Sequence, residues 1–91
     1  MTFHGKLTAD PAPVGTHEHI LVSDPFGDQL EVDHNTGLAP WVPAHVGDVV
    51  IVRGQLYIDS PGRAGVHCTH AKTSSGCPVP GWVELRGQYY E

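Results

Sequence analysis

The stretch Val49-Val50-Ile51-Val52-Arg53-Gly54-Gln55-Leu56-Tyr57-Ile58 decides the fold class of this chain. Its β-branched side chains fit a pleated strand better than a helix. Because successive side chains of a strand point to opposite faces, we predict that one apolar face of this segment points to the core. The predicted members of that face are Val50, Val52, Leu56 and Ile58. The opposite face is apolar too, which is expected in a closed barrel, and Gly54 at the middle predicts a bend or bulge.

Short strands separated by turn residues surround this segment on both sides. Proline ends the first of them at residues 10–15, because proline cannot donate to a ladder. Residues 24–28 have the turn chemistry that joins the second and third strands in a hairpin, and residues 59–65 are a turn-rich connection. The predicted strands lie at residues 3–8, 17–23, 29–34 and 66–70, with a terminal hairpin at residues 81–85 and 88–90.

The order of these elements predicts a single all-β domain over residues 1–91. It fits a small five-stranded OB-like Greek-key barrel with a C-terminal β-hairpin, with a small sandwich or another barrel as the alternatives. The segment 35–46 is irregular and apolar, and its two prolines limit any helix there to one turn. We expect this segment to plug one end of the core.

Composition and charge exclude several classes of function. The chain carries 10 acidic and 5 basic side chains and a formal net charge of −5, so strong nucleic-acid binding, which depends on neutralising phosphates, is not expected. No apolar run approaches the ~20 residues that span a bilayer, which argues against a membrane partner. Because the first residues lack the pattern of a secretory signal, we expect a cytoplasmic protein, or an exported one if a leader has been removed.

Cys68 and Cys77 are the only cysteines of the sequence, and three interpretations of them stay open. Two reduced thiols are what a cytosolic protein normally contains. A disulfide between them would close a short loop and stabilise an exported protein by about 2–3 kcal/mol. The third interpretation is a zinc site, in which Cys68 and His70 share a strand face, Cys77 folds back to join them, and His17 or His19 supplies a fourth ligand. Zinc is the one cofactor that the sequence suggests.

Seven histidines are the most unusual feature of the composition. His34 ends the apolar face begun by Leu30 and Val32, so we favour a buried neutral imidazole there over a ligand. His17 and His19 share one face of their strand, a pattern more typical of an exposed surface than of a site.

Several motifs follow one another in an order and spacing typical of one family. They are His34-Asn35, Leu38-Ala39-Pro40, Gly65-Val66-His67-Cys68-Thr69-His70 and Gly81-Trp82-Val83. From about residue 15 to residue 90 the chain resembles the bacterial domain-of-unknown-function family 3465. The resemblance implies a compact β domain and an exported protein, which favours the disulfide, and it supplies no activity. It directs attention to six residues as ligand contacts: His34, Asn35, His67, Thr69, His70 and Trp82.

The sequence therefore favours a small non-enzymatic binding or accessory module. We expect an unknown small ligand or a protein partner to be held near His34, Asn35 and His67, where polar side chains converge at the ends of apolar strands. The alternative is a metal-assisted hydrolase, such as a nuclease, that uses the histidines. A structural subunit that forms a homo-oligomer is the third class.

Overall fold

The computed structural model describes residues 1–60 and 63–91, and this part of the chain contains nine β-strands and no helix. The predicted all-β class is confirmed. In chain order the strands are β1 (Thr2–Leu7), β2 (Ala12–Val14), β3 (His17–Ser23), β4 (Gln29–Asn35), β5 (Val49–Arg53), β6 (Gln55–Ser60), β7 (Arg63–His67), β8 (Trp82–Leu85) and β9 (Gln88–Tyr90).

The strands form one mixed sheet in the order β6-β7-β4-β3-β1-β5-β8-β9, with β2 added to β3. Neighbouring strands are antiparallel except β4 and β7, which are parallel. A single residue, Gly54, separates β5 from β6, although β5 pairs with β1 and β6 pairs with β7. At this one residue the chain leaves the neighbour of β5, which is β1, and turns toward the neighbour of β6, which is β7. This is the bend predicted at Gly54. A Cβ at Gly54 would stand 2.6 Å from the carbonyl oxygen of His67, so only glycine fits there.

Two predicted hairpins are confirmed. The second and third predicted strands correspond to β3 and β4, which pair along their whole length from His17↔Asn35 to Ser23↔Gln29. The C-terminal hairpin corresponds to β8 and β9. Its two-residue turn places Arg86 and Gly87 at positive φ, 49° and 81°, as the tight turns of twisted hairpins require.

Three boundaries differ from the sequence prediction. The strand predicted at residues 66–70 is β7, which ends at His67, because Cys68 adopts a φ of 61° that no extended strand accepts. The short strand β2 lies in the proline-containing stretch predicted as a turn. It pairs only with β3, and an edge strand tolerates proline because its outer N–H groups need no partner. The predicted connection at residues 59–65 includes residues 61 and 62, which lie outside the described residues.

The core lies against the inner face of the sheet and consists of aliphatic side chains at alternate strand positions. The irregular segment after β4 closes it, as predicted, since Val42 and Ala44 are buried against the same cluster. The other buried members are Leu7, Ile20, Val22, Leu30, Val32, Val50, Val52, Val66, Val83 and Leu85.

Two residues predicted for the core are exposed, which corrects the interpretation of the long strand. Leu56 is 45% and Ile58 70% exposed, whereas Val50 and Val52 are fully buried. Alternation still assigns Leu56 to the inner face, opposite the buried Val66. Beyond Gly54, however, β6 extends past the part of the sheet that the core covers.

Candidate functional site

A polar pair interrupts the apolar inner face of the sheet. Glu18 on β3 and His34 on β4 are directly opposite in the register, and both are fully buried. Their neighbours on the same strands, Ile20 and Val32, are fully buried as well. Glu18 and His34 therefore belong to the interior and not to a solvent-facing site.

His34 is held by hydrogen bonds at both ring nitrogens. Its Nε2 lies 2.8 Å from the carbonyl oxygen of Pro40, and its Nδ1 lies 2.7 Å from Oγ1 of Thr69. A carbonyl oxygen only accepts, so Nε2 carries the proton and the Thr69 hydroxyl donates to Nδ1. Burial has the largest effect on the pKa of His34 and lowers it. The hydrogen bond to Pro40 has the next largest effect and raises it, but not enough to offset burial. His34 is thus the buried neutral imidazole that the sequence favoured.

Glu18 connects β3 to the segment that plugs the core. Its Oε1 accepts the N–H of Val42 at 2.7 Å. Its Oε2 is buried and has no hydrogen-bond partner among the described residues. Burial raises the pKa of Glu18 to about 7, against the lowering effect of the Val42 hydrogen bond. The carboxyl group is therefore partly protonated at neutral pH.

The six residues suggested as ligand contacts do not form one surface. Thr69 and His34 are fully buried and bonded to each other, and His70 is only 4% exposed, with its Nδ1 donating to the carbonyl oxygen of Lys72 at 2.7 Å. These three residues cannot contact a ligand at the surface, which corrects the predicted site. The physical reason is alternation along β4, which turns position 34 inward together with Leu30 and Val32.

The other three suggested contacts make different interactions. Asn35 stabilises the turn after β4, where its Oδ1 accepts the N–H of Gly37 at 2.9 Å. Trp82 lies on β8 and packs edge-on against Tyr89, with ring centroids 5.1 Å apart. His67 is the one residue of the six that lines a cavity on the outer face of the sheet.

The two cysteines form a disulfide between Cys68 and Cys77, with Cα atoms 5.4 Å apart. Two reduced thiols, the interpretation drawn from the absence of a signal sequence, are therefore not what the structure contains. The zinc set of Cys68, His70 and Cys77 is also wrong for this structure, because sulfurs bonded to each other offer no thiolate to a metal ion.

The outer face of the sheet carries a second group of polar residues. Side chains from β3, β4, β6 and β7 converge there around a cavity of about 290 Å³. We call this set the outer cluster. It consists of His17, His19, Glu31, Asp33, Tyr57 and His67.

His19 stands between the two carboxylates of the outer cluster. Its Nδ1 lies 3.1 Å from Oε1 of Glu31, and its Nε2 lies 3.2 Å from Oδ1 of Asp33. Asp33 is the direct cross-strand partner of His19, and Glu31 is two residues away on the same face of β4. The three side chains are between 17% and 30% exposed, so they are partly shielded from water.

Tyr57 reaches the cluster by crossing a strand that has no side chain in its way. In the register, Gly65 on β7 pairs with Glu31 on one side and with Tyr57 on the other. A Cβ at Gly65 would overlap the Tyr57 ring, so the ring lies over this glycine. The Tyr57 hydroxyl donates a hydrogen bond to Oδ2 of Asp33. His67 packs edge-on against the same ring, with centroids 5.2 Å apart.

The sequence contained a signal for this cluster that was not used. The predicted hairpin fixes which residues of β3 and β4 share a face, and the outer set is His17, His19, Glu31 and Asp33. The contribution of Tyr57 and His67 depends on the pairing of β4 with β7, which joins residues far apart in the chain.

Comparison with known proteins finds no relative: the chain matches no family model, and no match was found among curated proteins or solved structures. The resemblance to family 3465 therefore stays a prediction. No helix in residues 1–60 and 63–91 has the length and apolar character that crossing a membrane requires. The geometry of the outer cluster is consequently the main guide to function.

Proposed function

We propose that this protein is a small non-enzymatic binding module whose ligand site is the outer cluster. The observation that carries the proposal is the convergence of five side chains from four strands around one cavity of about 290 Å³. A cavity of this size, with polar groups of histidine, aspartate and tyrosine side chains set on rigid strands rather than on loops, suits a compact ligand.

We further propose that the sheet closes into an OB-like barrel. The pairings β1–β3, β3–β4, β4–β7, β7–β6 and β5–β1 support this, because β5 and β6 are consecutive across Gly54. If β5 and β6 count as one bent strand, these pairings run in a circle. OB barrels bind their ligands on the face of their second and third strands, and β3 and β4 occupy those positions and carry the outer cluster.

The chemistry of the lining supports a ligand with hydrogen-bond donors or positive charge. Asp33 offers carboxylate oxygens, and His17 and His67 offer ring nitrogens that act as donors or acceptors. The rings of Tyr57 and His67 add a flat apolar surface beside these groups. The net charge of −5 disfavours polyanionic ligands.

The test is a ligand panel observed by ¹H–¹⁵N correlation NMR. The probes are glucose, galactose, N-acetylglucosamine, glycine, arginine and the chlorides of calcium, manganese and zinc. The proposal expects at least one probe to shift amide signals around Asp33, Gly65 and His67, and expects His19→Ala, which removes a side chain of the cavity lining, to weaken that response. The matched control is His4→Ala, because His4 is an exposed histidine on β1 outside the cavity.

The outcomes separate clearly. Shifts confined to the outer cluster that persist in His4→Ala and fade in His19→Ala support the proposal. No response at the cluster from any probe, or an equal response in both variants, would overturn it.

A further inference from the structure

We infer that His19, Glu31 and Asp33 form a binding site for a divalent transition-metal ion, with Zn²⁺ or Mn²⁺ as the class of ligand. The inference rests on the proposed function, because it names what the outer cluster binds. It differs from the zinc site that the sequence suggested, since it uses none of Cys68, His70 and Cys77 and shares with that site only His19, one of the two alternatives for its fourth ligand.

The spacing of the donor atoms suits a shared metal ion. One ligand atom from each of the three residues lies within 4.8 Å of the others. Metal–nitrogen and metal–oxygen bonds of about 2.0–2.2 Å place two neighbouring ligands of one ion roughly 3.0–3.5 Å apart. Nδ1 of His19 lies 3.1 Å from Glu31, within that interval, whereas the 3.2 Å contact to Asp33 is made by the other ring nitrogen, Nε2, and one ion takes only one of the two nitrogens. One of the three side chains must therefore rotate so that both carboxylates meet the same ring nitrogen, within a cluster whose donors already lie within 4.8 Å of one another.

A second observation points to a cation independently of the spacing. Oδ1 of Asp33 is buried and accepts no hydrogen bond from any described residue, although Nε2 of His19 lies 3.2 Å away. A buried carboxylate oxygen without a hydrogen bond is costly unless a cation or a proton occupies its lone pairs. The other oxygen, Oδ2, already accepts the Tyr57 hydroxyl. Asp33 is thus oriented by Tyr57 on one side, and on the other its Oδ1 has the His19 ring as a neighbour but no hydrogen bond, a place that a cation would fill.

The surroundings have the features of a metal site beyond its direct ligands. The hydrogen bond from Tyr57 fixes the rotation of the Asp33 carboxylate, as the outer partners of metal ligands commonly do. Three protein ligands leave coordination positions for water or for an oxygen of a second ligand. His17 lines the same cavity, which places another imidazole beside those positions.

The ligand types restrict the class of metal. An imidazole nitrogen combined with carboxylate oxygens suits Zn²⁺, Mn²⁺ and their first-row neighbours. Ca²⁺ prefers six to eight oxygen ligands, and Mg²⁺ usually keeps most of its water. We therefore expect the site to prefer Zn²⁺ and Mn²⁺ over Ca²⁺ and Mg²⁺.

The experiment is a titration of the full chain, without a histidine tag, with ZnCl₂ by calorimetry at pH 7.5. We expect one equivalent of Zn²⁺ to bind. Asp33→Asn keeps the shape of the side chain and is expected to weaken binding at least tenfold, and His19→Ala is expected to abolish it. The matched control, His4→Ala, is expected to bind as the wild type does. Thermal unfolding of each variant without metal verifies that it is folded.

A second measurement locates the ion. Mn²⁺ should broaden the amide signals of β3, β4 and β7 nearest to Glu31, Asp33 and Gly65, and CaCl₂ should not compete with it. This readout uses the wild-type protein, so it stands even if a variant fails to fold.

One Zn²⁺ per chain, lost in His19→Ala and kept in His4→Ala, supports the assignment. Absence of binding overturns it. Binding that both Asp33→Asn and His19→Ala retain also overturns it and assigns the ion to adventitious surface histidines. If Zn²⁺ does not bind while an organic probe of the panel still shifts the amide signals of the outer cluster, the metal assignment is wrong and the proposed function stands. If neither binds, both fall.

Discussion

Glu18 and His34 face each other across β3 and β4 on the inner side of the sheet, and neither is exposed to solvent. Burial raises the pKa of Glu18 to about 7 and lowers the pKa of His34 below its usual 6.5. Both shifts favour the uncharged forms, because a charged group loses hydration when it is buried. The two residues therefore give this small core opposite sensitivities to pH.

The Glu18 carboxyl should make the protein less stable as the pH rises. Its pKa in the folded state, about 7, lies above the ordinary value of 4.5. Its stabilising contribution is therefore complete below pH 4.5 and is lost as the pH rises through about 7. Each unit of pKa difference corresponds to about 1.4 kcal/mol, so the loss is on the order of 3 kcal/mol. Urea unfolding of the wild type and of Glu18→Gln between pH 5 and 8 measures it.

The difference between the two curves isolates Glu18 from His34. His34 acts in the opposite direction, since its contribution is present above pH 6.5 and declines as the pH falls through its lowered pKa. His34 is present in both proteins, so its effect largely cancels in the difference. Glu84→Gln, on the outer side of β8, is the matched control and should parallel the wild type. Parallel curves for Glu18→Gln and the wild type would contradict the prediction.

Removal of the Thr69 hydroxyl should destabilise the buried histidine. Thr69→Val keeps the volume but leaves Nδ1 of His34 without its donor, while Nε2 still donates to Pro40. A buried acceptor without a partner costs about 1–3 kcal/mol. Chemical unfolding at pH 7.5 measures the change. Thr69→Ser keeps the hydroxyl and should lose less than Thr69→Val; the reverse order would show that packing, not the hydrogen bond, is what matters.

A methyl group at Gly65 should displace Tyr57 from the outer cluster. A Cβ there overlaps the Tyr57 ring, and such overpacking typically costs about 1–3 kcal/mol. Gly65→Ala should therefore lower the melting temperature and weaken Zn²⁺ binding, because Asp33 loses the hydroxyl that orients it. Gly76→Ala is the matched control, since no atom lies within 4 Å of a Cβ at that position.

Tyr57→Phe separates the two effects of this substitution. It keeps the ring over Gly65 and removes only the hydrogen bond to Asp33. If Gly65→Ala has the same melting temperature and the same affinity for Zn²⁺ as Gly76→Ala, the description of Tyr57 as a positioning residue is wrong.

Reduction of the Cys68–Cys77 disulfide should destabilise the protein without changing its sheet. The bond closes a loop with a sequence separation of 9. On the loop-entropy model such a bond stabilises the fold by about 2–3 kcal/mol. The measurement compares urea midpoints with and without dithiothreitol, and the double variant Cys68→Ser/Cys77→Ser should match the reduced protein. An unchanged midpoint after complete reduction, verified by mass spectrometry, would contradict it.

Local patterns in the sequence were enough to predict the all-β class and most of the strands. The alternation over β3 and β4, the turn residues between them and the glycine in the long valine-rich segment depend on neighbouring residues, so they are visible in the sequence. The buried, neutral state of His34 was predictable for the same reason, because it continues the face of Leu30 and Val32. The exposure of Leu56 and Ile58 was not, since alternation assigns a face but not how far the core extends along it.

The candidate site depended on pairings between distant parts of the chain. Tyr57 reaches Asp33 only because β6 pairs with β7, β7 runs parallel to β4, and the residue between them is Gly65. Thr69 meets His34, 35 residues away in sequence, through the same pairing. Nothing in the neighbourhood of any one of these residues specifies the register between β4 and β7. Long-range strand pairing therefore assembled the outer cluster and gave the buried His34 its hydrogen-bond partner Thr69.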